Sequence, residues 1–251
     1  DYEYNKNGTR LRAVTKTAKN DWSKIHDIGI PVCPNLGPQK TASGRLIICG
    51  NISFPYTDDP SGLADWKMTG IFPETMAAGI KDDPSEFHVV AKNQGWNANL
   101  CEGAFYQTDD NVLHMFLRNV RNPGENHKGR LWITESRDNG LTWSSPLETD
   151  FSDTDSKFNF GRLPDGRFYY MGNPIGKGRI PLVLSLSRDG TRFNQHYILG
   201  DTHYTMRNPG GSKGGDYGYP TTIIHDQYLY VIVSRQKENV EVLRVALTEL
   251  S

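Results

Sequence analysis

One octapeptide, Ser136-Arg137-Asp138-Asn139-Gly140-Leu141-Thr142-Trp143, restricts the fold of this chain more than any other stretch. Before it runs Arg130-Leu131-Trp132-Ile133-Thr134-Glu135, whose alternation reads as a strand, and after it a second extended stretch opens with Ser144-Ser145-Pro146. Between the two, Asn139-Gly140 supplies the left-handed φ angles of a tight corner. Asp138 is placed to fold its carboxylate back onto the N–H groups of the turn, and Trp143 to pack beneath it. Such a corner between two strands marks a β protein and carries no chemistry of its own.

The rest of the chain repeats the theme. Long helical periodicity is nearly absent, and Pro73 to Lys81 is the best short helical stretch. What recurs is strand, Gly/Asp/Asn-rich turn, strand, and a corner ending in an aromatic. A first unit runs from Leu11–Thr15 to Asp21-Trp22 and a second from Ser43–Gly50 to Asp65-Trp66. A third spans Glu86 to Trp143, with strands at Glu102–Tyr106, Val112–Leu117 and Leu131–Glu135. The fourth starts at Phe158 and ends in Ser187-Arg188-Asp189-Gly190-Thr191-Arg192-Phe193, a shortened copy of the octapeptide with Phe193 in place of the tryptophan. The fifth holds Thr221–Ile224, Tyr228–Val233 and Glu241–Leu247. Units of about 40–50 residues with repeated corners point to a propeller rather than a sandwich, each blade burying its faces against its neighbours. The expectation is an all-β fold, a β-propeller of four-stranded antiparallel blades. Five to six blades are expected, the first poorly defined or missing, in a single domain over residues 1–251.

Bulk properties exclude several functions. Twenty-eight Lys+Arg against 29 Asp+Glu leave a net charge of −1, which argues against a nucleic-acid footprint or a polybasic membrane anchor. No apolar run approaches a membrane span, Tyr228–Val233 being among the longest. Asp1–Gly8 has neither a basic nor an apolar leader region, so the chain reads as mature protein or as a fragment. Cys33, Cys49 and Cys101 lack metal-ligand spacing and read as free thiols, with a Cys33–Cys49 bridge as the alternative. The seven histidines show no ligand spacing, so neither a metal nor a cofactor is expected. A Gly-x-Ser-x-Gly elbow is absent as well. Gly210–Gly215 looks phosphate-like, but no helix follows it, and it reads as a rim loop.

The informative residues are polar ones embedded in otherwise apolar strands. Glu102 lies in Asn99–Tyr106 and Arg118 ends Leu113–Arg118, with the turn Thr108–Asn111 between them. A hairpin would return the two groups side by side at one end. Taken alone, the pair reads first as a strand-end ion pair, common in β proteins and of little energetic consequence when exposed.

The octapeptide resembles the Asp-box of sialidases and related β-propellers. Glu102, Arg118 and the box follow in the order and rhythm of a sialidase, and the likeness covers roughly residues 35–251. By that resemblance Arg118 belongs to an arginine triad gripping a substrate carboxylate, a task that suits a planar, always-charged guanidinium. A further arginine should precede an apolar strand and another box. Arg179, ahead of Ile180–Leu184, fits, and Arg207 in Met206–Pro209 is its rival. The resemblance also implies a tyrosine nucleophile with a glutamate to take its proton, because a phenol with a pKa of about 10 is otherwise a poor nucleophile. Tyr219 in Asp216–Thr222 matches, with Tyr217 its neighbour in the substrate site. The implied substrate is an acidic glycan, the implied reaction glycosidic hydrolysis, and the implied location extracellular or periplasmic.

The chain departs from that pattern at its beginning. No Arg-Ile-Pro motif precedes Asn35, and Arg179-Ile180-Pro181 has the letters deep in the chain. Either the first blade is missing or the site is built differently. Asp58, Asp59 and Asp65 are nominal acids without motif support, so the general acid is unassigned. Two rivals stand beside the hydrolase. One is a propeller lyase or glycosidase on uronate glycans, using Tyr217, His127, His203 or His225 for proton transfer. The other is a non-catalytic glycan-binding propeller.

Overall fold

A computed structural model describes residues 10–16, 19, 21–30, 32, 34–71, 100–120, 129–152, 154–175, 178–210 and 213–250. The helical stretch expected over Pro73–Lys81 and the alternative base His127 lie outside these residues. The described residues form strands throughout, with a single 3-10 turn at Leu247–Glu249. Among them no helix is long and apolar enough to cross a membrane. Two compact units divide them: those within Asp1–Gly103, Asp109–Leu117 and Ile133–Leu147, and those within Ala104–Thr108, Arg118–Trp132 and Glu148–Ser251.

In the first unit, β1 (Arg12–Ala13) pairs antiparallel with β2 (His26–Asp27). A three-stranded antiparallel sheet follows from β3 (Gln39–Lys40), β4 (Leu46–Ile47) and β5 (Tyr56–Thr57). The octapeptide is the corner the sequence predicts, with Asn139 at φ 59° and Gly140 at φ 87°. Asp138 Oδ1 accepts the N–H of Leu141 (3.1 Å) and Thr142 (2.9 Å) and the Ser136 hydroxyl (2.8 Å). These bonds, together with that from the Thr142 hydroxyl, outweigh the desolvation of Asp138 and hold its carboxyl below the ordinary range. Gly140 is required: a Cβ there would sit 2.8 Å from Ile47 Cδ1. Trp143 packs edge-on against Phe54, centroids 4.8 Å apart. A second corner at Asp59–Trp66 uses the same chemistry. Asp59 accepts from the N–H of Ser61, Leu63 and Ala64, while Trp66 donates to the Gly62 carbonyl. Cys49 and Cys101 are buried, and Cys33, the other half of the alternative bridge, lies outside the described residues.

A four-stranded sheet runs in the order β6 (Leu100–Gln107), β7 (Leu113–Asn119), β8 (Arg130–Ser136) and β9 (Leu147–Ser152). The predicted hairpin between Glu102 and Arg118 is therefore present as β6–β7.

The second unit holds a four-stranded antiparallel sheet of β10 (Asn159–Arg162), β11 (Phe168–Gly172), β12 (Leu182–Ser187) and β13 (Gln195–Gly200). Beside it lie β14 (Gly218–His225), β15 (Tyr228–Arg235) and β16 (Asn239–Ala246), paired antiparallel in that order. Along β15, Leu229, Val231, Val233 and Arg235 are buried while alternate residues face outward, the period of two expected of a half-buried strand. Leu229, Val231 and Val233 join Leu163, Met171, Leu182, Leu184, Leu186 and Leu250 in one core. The shortened box also forms. Asp189 Oδ1 accepts the N–H of Thr191 and Arg192 and the Ser187 hydroxyl, and Phe193 packs among Tyr106, Phe151 and Phe160.

Candidate functional site

Tyr219 sits where the β14–β15 ladder slips. Gly218 pairs with Ser234 but Thr221 with Ile232, so one extra residue is accommodated between them. Tyr219 takes φ 57° within this bulge. Bulges re-aim side chains, and a bulky residue at positive φ persists only where its surroundings impose it.

Arg179, at φ 53°, lies against it. Its carbonyl accepts the N–H of Tyr217 (3.0 Å) and the Asn173 amide (2.9 Å), and the Gly178 carbonyl accepts the Asp216 N–H (2.7 Å). The side chain then runs over two glycines. A Cβ at Gly215 would stand 2.3 Å from Arg179 Cδ, and one at Gly218 would stand 3.0 Å from Nη1. This places the guanidinium carbon 4.9 Å from the Tyr219 ring centroid. Nη1 is buried with no hydrogen-bond acceptor. A buried donor left unpaired costs about 1–3 kcal/mol, and more when charged.

The turn after β15 completes the surround. Arg235 O accepts the Glu238 N–H (2.9 Å), and the two central residues, Gln236 and Lys237, have φ 52° and 55°. That is a type I′ turn, which asparagine and glycine occupy at ease and glutamine and lysine do not. It is docked in place: Gln236 donates its N–H to the Gly215 carbonyl (3.0 Å) and its amide to Asp216 (3.2 Å). Lys237 Nζ comes 5.5 Å from the Tyr219 ring centroid. An exposed cation–π contact is worth about 0.5–1 kcal/mol, less than the strain of two such residues at about 1–3 kcal/mol each.

A third layer buttresses these groups. Asp216 is buried, which favours its protonated form, yet the Tyr204 N–H (2.6 Å) and His203 Nδ1 (2.8 Å) keep its carboxyl below the ordinary range. The His203 side chain itself is 82% exposed. Tyr217 is buried, its hydroxyl 2.8 Å from Thr202 Oγ1 and its ring stacked 4.0 Å from the Arg235 guanidinium. Arg235 donates to Glu241 (2.7 Å) and to the Thr202 carbonyl (2.8 Å).

The remaining predicted residues are distributed as follows. Arg118, on β7 and 9% exposed, donates from Nε (2.9 Å) and Nη2 (2.7 Å) to Asp155 Oδ1. Glu102, on β6, is half-buried at φ 50°. Arg207 is exposed, and its N–H donates to Glu238 (2.8 Å). Asp58 pairs with Arg45 (2.8 Å), and His225 lies in the open beside Asp226. Among the described residues no three His, Cys, Asp or Glu side chains gather as a metal site. Sequence reasoning missed Lys237. Its signal was the absence of Asn or Gly in a turn between two long strands, Arg235-Gln236-Lys237-Glu238.

Comparison with known structures agrees on the fold. A point mutant of the NanB sialidase from Streptococcus pneumoniae is 17% identical with a TM-score of 0.64, over 96% of this chain and 36% of that one. The leech intramolecular trans-sialidase complexed with 2,7-anhydro-Neu5Ac is 14% identical with a TM-score of 0.66, over 96% and 37%. The intramolecular trans-sialidase from Ruminococcus gnavus in complex with oseltamivir carboxylate is 16% identical with a TM-score of 0.62, over 96% and 51%. This chain thus spans between a third and a half of the length of those proteins. No curated protein sequence matches it. The profile of the BNR repeat-like domain matches residues 19–231, well over half of the chain, and the chain belongs to that BNR repeat-like family.

Proposed function

We propose that this chain carries a glycosidase site of sialidase type, set in a single β-propeller domain of four-stranded blades and acting on an acidic glycan outside the cell or in the periplasm. The observation that carries the reading is the unpaired guanidinium of Arg179 against Tyr219. A half-buried guanidinium with an orphan donor is what a carboxylate-bearing sugar would satisfy. Support comes from the backbone, since Glu102, Arg179 and Tyr219 all hold left-handed conformations. Such strain in bulky residues gathers at functional sites.

In this reading Tyr219 Oη attacks the anomeric carbon as the glycosidic C–O bond breaks, and the phenolic proton passes to the Glu102 carboxylate. The leaving oxygen takes a proton from an acid that no residue here is assigned to supply. Water then cleaves the glycosyl–tyrosine bond, returning the proton to Tyr219. A phenol suits the task because an uncharged nucleophile does not repel an anionic sugar. Arg118 and Arg179 form the carboxylate clamp. Arg179 is preferred to Arg207 because its guanidinium lies against the Tyr219 ring. Tyr217 supports the site by packing against Arg235.

Hydrolysis of 4-methylumbelliferyl N-acetylneuraminate and of the corresponding glucuronide tests the proposal. One of the two should release the fluorophore, and Tyr219→Phe should slow release by about 100-fold or more. Binding of the acidic sugars without turnover would replace the hydrolase with the binding-module reading. One observation favours a lyase as the second reading: an exposed His203 oriented by the buried Asp216. Unsaturated product from a polyuronate, lost in His203→Ala, would establish it instead.

A further inference from the structure

Lys237 is a charge that the carboxylate clamp does not use. Two cations of the surrounding turns have carboxylate partners, Arg235 with Glu241 and Lys213 with Glu238. Arg179 and Lys237 form no such pair among the described residues, and both lie against the same phenol ring, 4.9 and 5.5 Å from its centroid. Two unpaired positive charges lie on one ring, and each can be relieved by an anionic group of its own.

Their settings differ. Arg179 Nη1 is buried, whereas Lys237 is exposed at the tip of the turn. A half-buried guanidinium suits the charge enclosed by the site, and an exposed, flexible ammonium suits one that stays partly in water. The turn is not free to swing away. Gln236 ties it to Gly215 and Asp216, and Lys237 donates its own N–H to the Ser234 hydroxyl (3.1 Å). Glu238 next to it anchors the N–H groups of Arg207 and Asn208 and the Lys213 ammonium. Two residues unsuited to a type I′ turn are thus held in one, with the ammonium over Tyr219 as the result.

We infer that Lys237 is a specificity residue that reads a second acidic group, carboxylate or sulfate, on the sugar next to the one held by Arg179. The site then favours glycans with acidic groups on adjacent sugars over those with one. This inference rests on the acidic-sugar reading of the Tyr219 site and extends it outward.

Calorimetric titration of the whole chain with two probe pairs tests it: galacturonate against digalacturonate, and N-acetylneuraminate against its α2,8-linked dimer. For at least one pair the dianion should bind about tenfold or more tighter than the monoanion. Lys237→Asn keeps a residue that tolerates positive φ and removes the charge. It should abolish that preference while leaving the monoanion within about twofold. Lys237→Arg should retain the preference, and Arg179→Gln should weaken both members of the pair. The inference is overturned if the wild type binds the monoanion and gains nothing from the second charge. It is overturned equally if Lys237→Asn weakens both probes alike or weakens neither. A wild type that binds none of the four sugars overturns the acidic-sugar reading itself.

Discussion

Glu238 fastens a loop with a single side chain. It accepts the N–H groups of Arg207 and Asn208 and the Lys213 ammonium, which together lower its carboxyl from an ordinary 4.5 to about 2. A group whose pKa is depressed by folding stabilises the fold fully above its unfolded value and loses that contribution as the pH falls through its folded value. The advantage of wild type over Glu238→Gln should therefore be constant above pH 4.5 and fade between 4.5 and about 2. Urea titrations at several pH values check this, and a difference that does not change across that window would refute it. Little of this was legible beforehand. No local signal marks Glu238, because its N–H partners are supplied by a segment some thirty residues away. The same holds for Glu102 and Arg179. Their residue types raised the question, but their left-handed backbone left no mark in the alternation of side chains.

At the scale of elements, local chemistry was legible and non-local docking was not. Both boxes form where Ser, Asp and Gly stand at fixed offsets, since the turn N–H groups that bind Asp138 and Asp189 lie only two to four residues away. The corner closing at Asp65-Trp66 was legible, but the role of Asp59 was not, because its spacing differs although its carboxylate binds turn N–H groups in the same way. Strand β13 was also missed: Gln195 and His196 dilute its apolar residues, and only β12 covers it. The run Gly210–Gly215 read as a rim loop, yet Gly215 is the floor on which Arg179 lies. Gly215 has φ 87°, and a methyl group there would collide with Arg179 Cδ at 2.3 Å. Gly215→Ala should therefore displace the guanidinium and weaken acidic-sugar binding about tenfold or more. Gly210→Ala, which would meet only Lys213 at 4.0 Å, should leave binding unchanged. Equal affinities of the two variants by calorimetry would count against Arg179 as the anion-holding group.

For the molecule as a whole, a net charge of −1 supplies no long-range field for an anion, so the proposed binding of an acidic sugar would rest on local groups such as Arg179. Stability in the second unit comes from the Leu- and Val-rich core between its sheets, where Leu184 is fully buried. Leu184→Ala should cost about 2–5 kcal/mol in urea unfolding monitored by fluorescence, and a loss under 1 kcal/mol would mean the core collapses around the gap. The sequence by itself determined the all-β character, the corners and the BNR repeat-like family, because alternation and turn chemistry act between near neighbours along the chain. Only the tertiary structure chose Arg179 over Arg207 as the partner of Tyr219, and only it brought Lys237 to the same ring. Those choices depend on three segments, 178–179, 215–219 and 236–238, whose hydrogen bonds to one another exist only once the sheets have packed.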